Sequence, residues 1–291
     1  MPGASNEGPH AVVHVDLDGA LDIYRVHGWR WPTKSGGDPV FDTGLPALLD
    51  LLQEAGVPAT LFVIARKLSE PAALSRLREA VRRGHEVASH TIHHRPLSRL
   101  SRAEKRQEIF DSRAMLSDAL GVPVQGFRAP NFDLDRESLE LVAEAGYAWD
   151  SSLRPGARAA ATAGLAEVSP FPFRPLTGSE LVELPLPKHR PLPFPFHPSY
   201  GLVLGDRYVE LGLRRFRRMN APLVFLFHLT DLCDPLSREL AAGPAKRFFT
   251  LSYLSAEAKG RHCRRMLAQV RGRFEVARSR DLAERAPRRS A

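Results

Sequence analysis

Apolar and polar positions along this chain change period repeatedly. Ala11–Asp18, AVVHVDLD, is a strand candidate that ends in acids. Leu45–Ala55 spaces its apolar residues as a helix does and stops at Gly56. Ala59–Ile64 predicts a second strand, Ala72–Arg83 a helix closed by Gly84, and Glu86–His90 a third strand. Ser101 with Glu104 three residues on forms a capping box. The helix it opens runs to about Leu120 and closes at Gly121. Val124–Phe127 predicts a fourth strand, Arg136–Ala145 a helix, and Tyr147–Ser151 a fifth strand. Later strands are expected at Val182–Leu184, Leu223–Leu229 and Phe274–Ala277. Strand followed by helix, over and over, predicts an α/β fold with a parallel sheet, either a βα barrel or a doubly wound sheet.

Two stretches break the rhythm. Arg154–Pro175 is rich in Ala, Gly and Pro, and Pro185–Pro198 carries six prolines. Both read as connections, and the functional alternative is a wall of a substrate groove. Residues 1–10 read as a frayed terminus, 11–283 as one domain and 284–291 as a basic tail.

Composition adds limits. With 43% hydrophobic and 25% charged residues the chain is an ordinary globular mixture. No run approaches the ~18 apolar residues of a membrane span. The start, MPGASNEGPH, lacks the pattern of a secretory leader, so a cytoplasmic location is expected. Two cysteines, Cys233 and Cys263, cannot form a disulfide framework. The net charge of +8 comes with six lysines and 35 arginines. No nucleic-acid-binding signature accompanies it, so no nucleic acid is expected as partner. Arg214-Arg215 and Arg217-Arg218 offer a peripheral contact to an anionic membrane surface. Oligomeric state is not legible.

The chemistry sits at the ends of the predicted strands, where βα folds place their sites. Asp16 and Asp18 are two apart on a strand and face one side, and Gly19 permits a sharp turn after them. Two such acids are costly to bury without a cation. In Ser89-His90-Thr91-Ile92-His93-His94, a single helical turn would place His90 and His94 on one face, with His93 on another. An acid and two histidines form a ligand set that leaves positions open for water and substrate. Zinc, cobalt, nickel or ferrous iron would all suit it. Arg128 in Phe127-Arg128-Ala129-Pro130 ends the fourth strand, Asp150 the fifth, and His228 interrupts the apolar run LVFLFHL. The loop after Gly19 contains Tyr24, His27, Trp29 and Trp31, offered as a wall for sugar faces.

Together these elements resemble the polysaccharide deacetylase (NodB-homology, carbohydrate esterase family 4-like) family of metal-dependent sugar N-deacetylases. The resemblance runs from about Ala11 to His228. It rests on Asp16-Leu17-Asp18, the HxxxH pair in SHTIHH, GFRAP followed by Asn131-Phe132, YAWDSSL and LFH, in the family's order. It implies a distorted barrel of about seven βα units. It also implies Asp16 as general base, and Asp18, His90 and His94 as ligands of one divalent metal, zinc first. Arg128 would then orient the base, Asp150 would orient the acid histidine, and His228 would be that acid. Leu226 would wall the acyl methyl; Phe132, Trp29 and Trp31 would line the sugar site. The family usually has adjacent aspartates; Asp-x-Asp marks a subgroup. Asn131-Phe132 and Ser151 also depart from the pattern, which puts the substrate in doubt.

The implied activity is removal of an N-acetyl or N-formyl group from an amino sugar. The missing leader points to a lipid-linked or nucleotide-linked glycan precursor as substrate. Two alternatives stand beside it. A haloacid-dehalogenase-like phosphatase would use Asp16 as nucleophile; it also needs a later lysine and an acidic pair for magnesium, but Lys188 falls in a proline-rich stretch and Asp231 and Asp234 follow no matching glycine. The other is a non-catalytic carbohydrate-binding protein of the same fold.

Overall fold

The computed structural model describes residues 9–32, 37–188 and 196–287. Its strands are β1 (His10–Asp16), β2 (Thr60–Val63), β3 (Glu86–Ser89), β4 (Gly126–Phe127), β5 (Trp149–Asp150), β6 (Val182–Glu183), β7 (Leu223–His228) and β8 (Glu275–Ala277). All named pairs are parallel. The main path runs β6-β5-β4-β3-β2-β1-β7, and β8 joins beside the start of β1. This is the expected α/β architecture, a distorted (β/α)7 barrel drawn as a curled sheet. Among the described residues, β6 and β7 are the two ends of its path.

The helices are α1 (Ala20–Val26), α2 (Pro39–Ala55), α3 (Pro71–Arg82), α4 (Arg102–Arg106), α5 (Ser112–Leu120), α6 (Arg136–Glu144), α7 (Ala157–Thr162), α8 (Pro198–Leu204), α9 (Asp206–Arg218), α10 (Pro244–Phe249), α11 (Ala256–Arg271) and α12 (Ser279–Glu284). None is long and apolar enough to cross a membrane. Helix α2 starts six residues before the apolar periodicity does. Asp38 caps it by accepting from the Val40 and Phe41 amides, and Pro39 takes the first turn. The capping box at Ser101 forms as expected. The helix it opens is interrupted by a π-turn over Gln107–Asp111, between α4 and α5.

Alternation along β1 sorts its side chains. Ala11, Val13 and Val15 pack outward against helices, in the larger core. Val12 packs inward with Phe62, Ala88, Trp149, Val182, Val224 and Leu226. His14 and Asp16 share that inward face. Leu282 and Ala283 of α12 pack into the same inner core and plug the barrel's lower end. The polar ends of the strands are thereby left at the upper, carboxyl side. The stretch Arg154–Pro175 holds α7, and Phe173 bridges to Glu183. Of Pro185–Pro198, residues 189–195 lie outside the described residues.

Candidate active site

The histidine pair departs from its expected geometry. His90 to His94 do not make a helical turn; His90 follows β3, and Ile92–His93 form a bend. Thr91 and His94 adopt left-handed backbone, with φ of 65° and 57°. Such conformations in branched or bulky residues cost ~1–3 kcal/mol each and persist only where surroundings impose them. The imposition here is visible. The Ala65 and Arg66 amides bond to the Thr91 and Ile92 carbonyls, and the His94 amide donates to Thr91 Oγ1 at 3.1 Å. Glu108, buried on the π-turn, accepts from the Ile92 amide, the His93 amide, His93 Nδ1 and Arg95 Nε at 2.8–3.0 Å. A π-turn reorients the residue it contains, and this one aims a carboxylate at the histidine loop.

The loop brings both rings to Asp18. His94 Nε2 lies 3.3 Å and His90 Nε2 3.5 Å from Asp18 Oδ1. Donor atoms of the three residues fall within 4.8 Å of one another. His90 Nδ1 donates to the Arg128 carbonyl at 2.8 Å, which leaves Nε2 as a lone pair facing Asp18. Both His94 ring nitrogens and Asp18 Oδ1 are buried without a hydrogen-bond partner. Zinc–ligand bonds of ~2.0–2.1 Å in a tetrahedron put ligand atoms about 3.3 Å apart, close to the spacings here. The orphaned atoms and the spacing fit a cation held by Asp18, His90 and His94. Burial would raise the Asp18 carboxyl, but the two imidazoles overcome it and hold it well below the usual carboxylate range. Burial lowers the His94 pKa, so its ring is neutral and able to ligate.

Gly19 follows Asp18 because a side chain has no room there. A Cβ at this position would stand 1.7 Å from Asp38 Oδ2. That carboxylate is occupied: Asp38 accepts from the Ala20 amide at 2.8 Å and from Lys67 Nζ at 3.0 Å. Asp22 accepts from the Gly19 amide at 3.1 Å and pairs with Arg66.

Asp16, 2% exposed, is gripped from one side by Arg128, whose Nη1 donates to Oδ1 at 2.6 Å. Arg128 is fully buried and its other donors are spent on Ser151 and His14. On the other side, His228 Nε2 lies 3.9 Å from Asp16 Oδ2. The remaining expectation for this end of the site is corrected. Asp150 does not meet His228; it accepts from Ser152 Oγ at 2.6 Å and pairs with Glu183. Burial, then the charge of Asp150, raises the Glu183 carboxyl well above its ordinary value. The pair's place is beneath the Ala129 turn, since the Ala129 amide donates to Ser152 Oγ. The groups at the His228 ring are Ser199, with Oγ 3.5 Å from Nδ1, and His197, 5.4 Å between centroids. Ser199 donates to Asp231 at 2.5 Å, and Asp231 also accepts the His228 amide. The sequence offered a hint in His228-Leu229-Thr230-Asp231, but only the fold brings Ser199 beside it.

His14 is a second residue that motif spacing missed. It is fully buried and neutral, its pKa lowered by burial and by Arg128. Its Nδ1 accepts from Arg128, so its Nε2 donates to Ser279 Oγ at 2.7 Å. Ser279 Oγ donates to Thr60 Oγ1, 2.6 Å away, because Thr60 donates on to Glu86. The carboxylate at the top of the barrel is thus tied to the helix that plugs its bottom.

Above this group opens a cavity of about 410 Å³. Asp18, His228, Leu226 and Phe132 line it, as do His27 and Phe249. Trp29 and Trp31 do not. They pack edge-on against Tyr24, and Trp29 stacks behind His27. The segment after Gly19 is helix α1 rather than the expected loop, and it does contribute a wall, but through Ile23, Val26 and the following His27.

Known proteins are similar to this chain in sequence and in fold. The sequence model of the polysaccharide deacetylase family matches residues 37–149. A chitooligosaccharide deacetylase of Sinorhizobium fredii is 36% identical over 143 residues, which are 46% of this chain and 64% of that protein. The chain spans less than two thirds of the length of the first curated relatives it matches. Among solved structures, a polysaccharide deacetylase-like protein from Mycobacterium smegmatis aligns at TM-score 0.62 with 20% identity, covering 100% of this chain and 96% of that one. PuuE allantoinase aligns at TM-score 0.64 with 15% identity, covering 97% and 91%. At such identities the structural likeness speaks for the fold.

Proposed function

We propose, from the match of residues 37–149 to the polysaccharide deacetylase family model, that the protein is a metal-dependent hydrolase removing an N-acetyl or N-formyl group from an amino sugar. One observation carries the proposal. The Asp18–His90–His94 cluster adjoins the one face where Asp16, clamped by Arg128, stands 3.9 Å from His228. The donor set suits a divalent transition ion, zinc first, with cobalt, nickel or ferrous iron as alternatives. Such an ion, when bound, supplies Lewis acidity toward an amide carbonyl and the attacking water.

The chain's own residues do the rest. Asp16 accepts the proton of the attacking water, and Arg128, bonded to its Oδ1, keeps the carboxylate aimed. His228 donates a proton to the departing amine, which cannot leave as an anion. Ser199, fixed by Asp231, steadies the imidazole from its far side. Leu226 walls the acyl methyl and Phe132 the sugar. The phosphatase alternative requires a lysine by Asp16. The cation there is Arg128, and Lys188 lies against Gly156 instead.

The finer reading, a lipid-linked or nucleotide-linked precursor, draws support from the cavity rim. Val26, Val203, Phe248 and Phe249 are 41–49% exposed and all border the opening. Exposed apolar groups gathered at one mouth favour a ligand with an apolar arm. That favours the lipid-linked form, met at a membrane surface. Flotation of the protein with anionic vesicles tests the membrane contact; no co-flotation at low salt would remove it.

The primary test is metal content beside acid release from N-acetyl and N-formyl amino sugars. About one transition-metal ion per chain is expected in the wild type and none in the His90→Ala/His94→Ala double variant. Asp16→Asn should retain metal and lose turnover, and His228→Ala should lower turnover roughly 10²–10⁴-fold. Wild-type metal stoichiometry in the double variant would overturn the site. Bound metal without hydrolysis of any acylated sugar would leave the carbohydrate-binding alternative.

A further inference from the structure

Most cations close to the site have a carboxylate of their own. Arg128 has Asp16, Arg66 has Asp22, and Arg95 has Glu104 and Glu108. Arg154 differs from these. It lines the same cavity as Asp18 and His228, and no carboxylate pairs with it among the described residues. Its guanidinium is open to the cavity yet crowded enough by protein that desolvation lowers its pKa. It remains a cation at neutral pH, since arginine starts so high. The one carboxylate lining the cavity, Asp18, is engaged with His90 and His94.

The support under Arg154 is built. Its Cζ lies 4.8 Å from the centre of the Phe132 ring. Phe132 reaches that position through two consecutive left-handed residues, Asn131 at φ 56° and Phe132 at φ 59°. Neither residue is glycine, so each conformation costs ~1–3 kcal/mol. The strained turn follows directly on Arg128-Ala129-Pro130 and presents an aromatic platform to the cavity. A guanidinium stacked on a ring keeps its edge donors free for a planar or tetrahedral oxyanion.

Resting on the deacylase reading above, we propose that Arg154, seated on Phe132, is an anion subsite and that the acylated amino sugar bears a negative charge, as phosphate or carboxylate. The subsite lies in one cavity with the metal ligands and the apolar rim. A substrate filling it would present its amide to Asp16 and His228 and its anion to Arg154. Phosphate and carboxylate share the recognition chemistry, so the test separates them.

The experiment compares N-acetylglucosamine, N-acetylglucosamine 1-phosphate and N-acetylmuramic acid, in the metal-loaded full chain and in Arg154→Gln. The Arg154 residue is itself exposed, so the variant is expected to fold. Two readouts are taken, kcat/KM for acid release and Kd by calorimetry. The wild type should favour one charged sugar over the neutral one by roughly 10–100-fold, as expected of charge-assisted bonds. In Arg154→Gln that ratio should collapse toward one, and Arg154→Lys should restore part of it. Preference for the phosphate identifies a phosphorylated substrate, preference for the muramic acid a carboxylated one. Hydrolysis with equal ratios in wild type and Arg154→Gln would overturn the subsite and leave the deacylase standing. An Arg154-dependent binding preference without hydrolysis would uphold the subsite and sink the deacylase. Binding without preference in the wild type would also overturn the subsite.

Discussion

At the residue scale, the site is a set of buried charges that balance in pairs. Asp16 and Arg128 are both nearly or fully enclosed, so neither tolerates the loss of the other. Arg128→Met would leave a buried carboxylate uncompensated and should cost ~3–5 kcal/mol in urea unfolding. Glu108 plays a quieter part, since four donors on the histidine loop converge on it. Glu108→Gln would turn an amide N–H toward those donors. It should weaken metal affinity ~10–100-fold in a competitive chelator titration. Burial would raise the Glu108 carboxyl, but the His93 and Ile92 amides, the His93 ring and Arg95 overcome it, and its folded pKa lies below the ordinary one. Its contribution is therefore complete above about pH 4.3 and is lost as pH falls through the depressed folded value. Acid unfolding of wild type and Glu108→Gln should converge in that window. A gap that widens toward acid would contradict the assignment.

At the element scale, turns rather than helices place the ligands. The histidine spacing predicts a helical turn. The chain instead bends through two left-handed residues, held by the π-turn's carboxylate and by β2's exit loop. The turn after β1 depends on a close approach, because the Asp38 carboxylate occupies the space of a Gly19 side chain. Gly19→Ala must push that carboxylate off the Ala20 amide and Lys67. A stability loss of ~1–3 kcal/mol is expected, with weaker metal binding because Asp18 is adjacent. Unchanged chelator titration and unfolding curves would mean the turn relaxes freely.

At the scale of the whole molecule, the barrel couples its two ends. Arg128, His14, Ser279, Thr60 and Glu86 form one hydrogen-bonded series from the candidate base to α12. Leu282 of the same helix is 4% exposed within the inner core. Leu282→Ala should cost ~2–5 kcal/mol. Ser279→Ala leaves the His14 Nε2 proton without its acceptor, at ~1–3 kcal/mol. It should lower kcat with metal content retained; an unchanged kcat would mean Arg128 is held by Ser151 alone.

Alternating strands and helices, helix caps, and the order of Asp16, Asp18, His90, His94, Arg128 and His228 were all legible in the sequence. Each follows from local rules: apolar period, capping chemistry and residue type at strand ends. The strand-end rule also put Asp150 near the site, yet could not say that its partner is Glu183 rather than His228. The roles of Ser199 and Asp231, of His14 and Ser279, of Glu108 and of Arg154 on Phe132 depend on contacts between distant segments. The tryptophans went the same way, since composition cannot tell which aromatic of a loop faces the cavity and which packs behind it. Side-chain direction after a turn is decided by the close packing of the elements around it. That packing exists only once the strands have curled and the plug helix has closed the barrel.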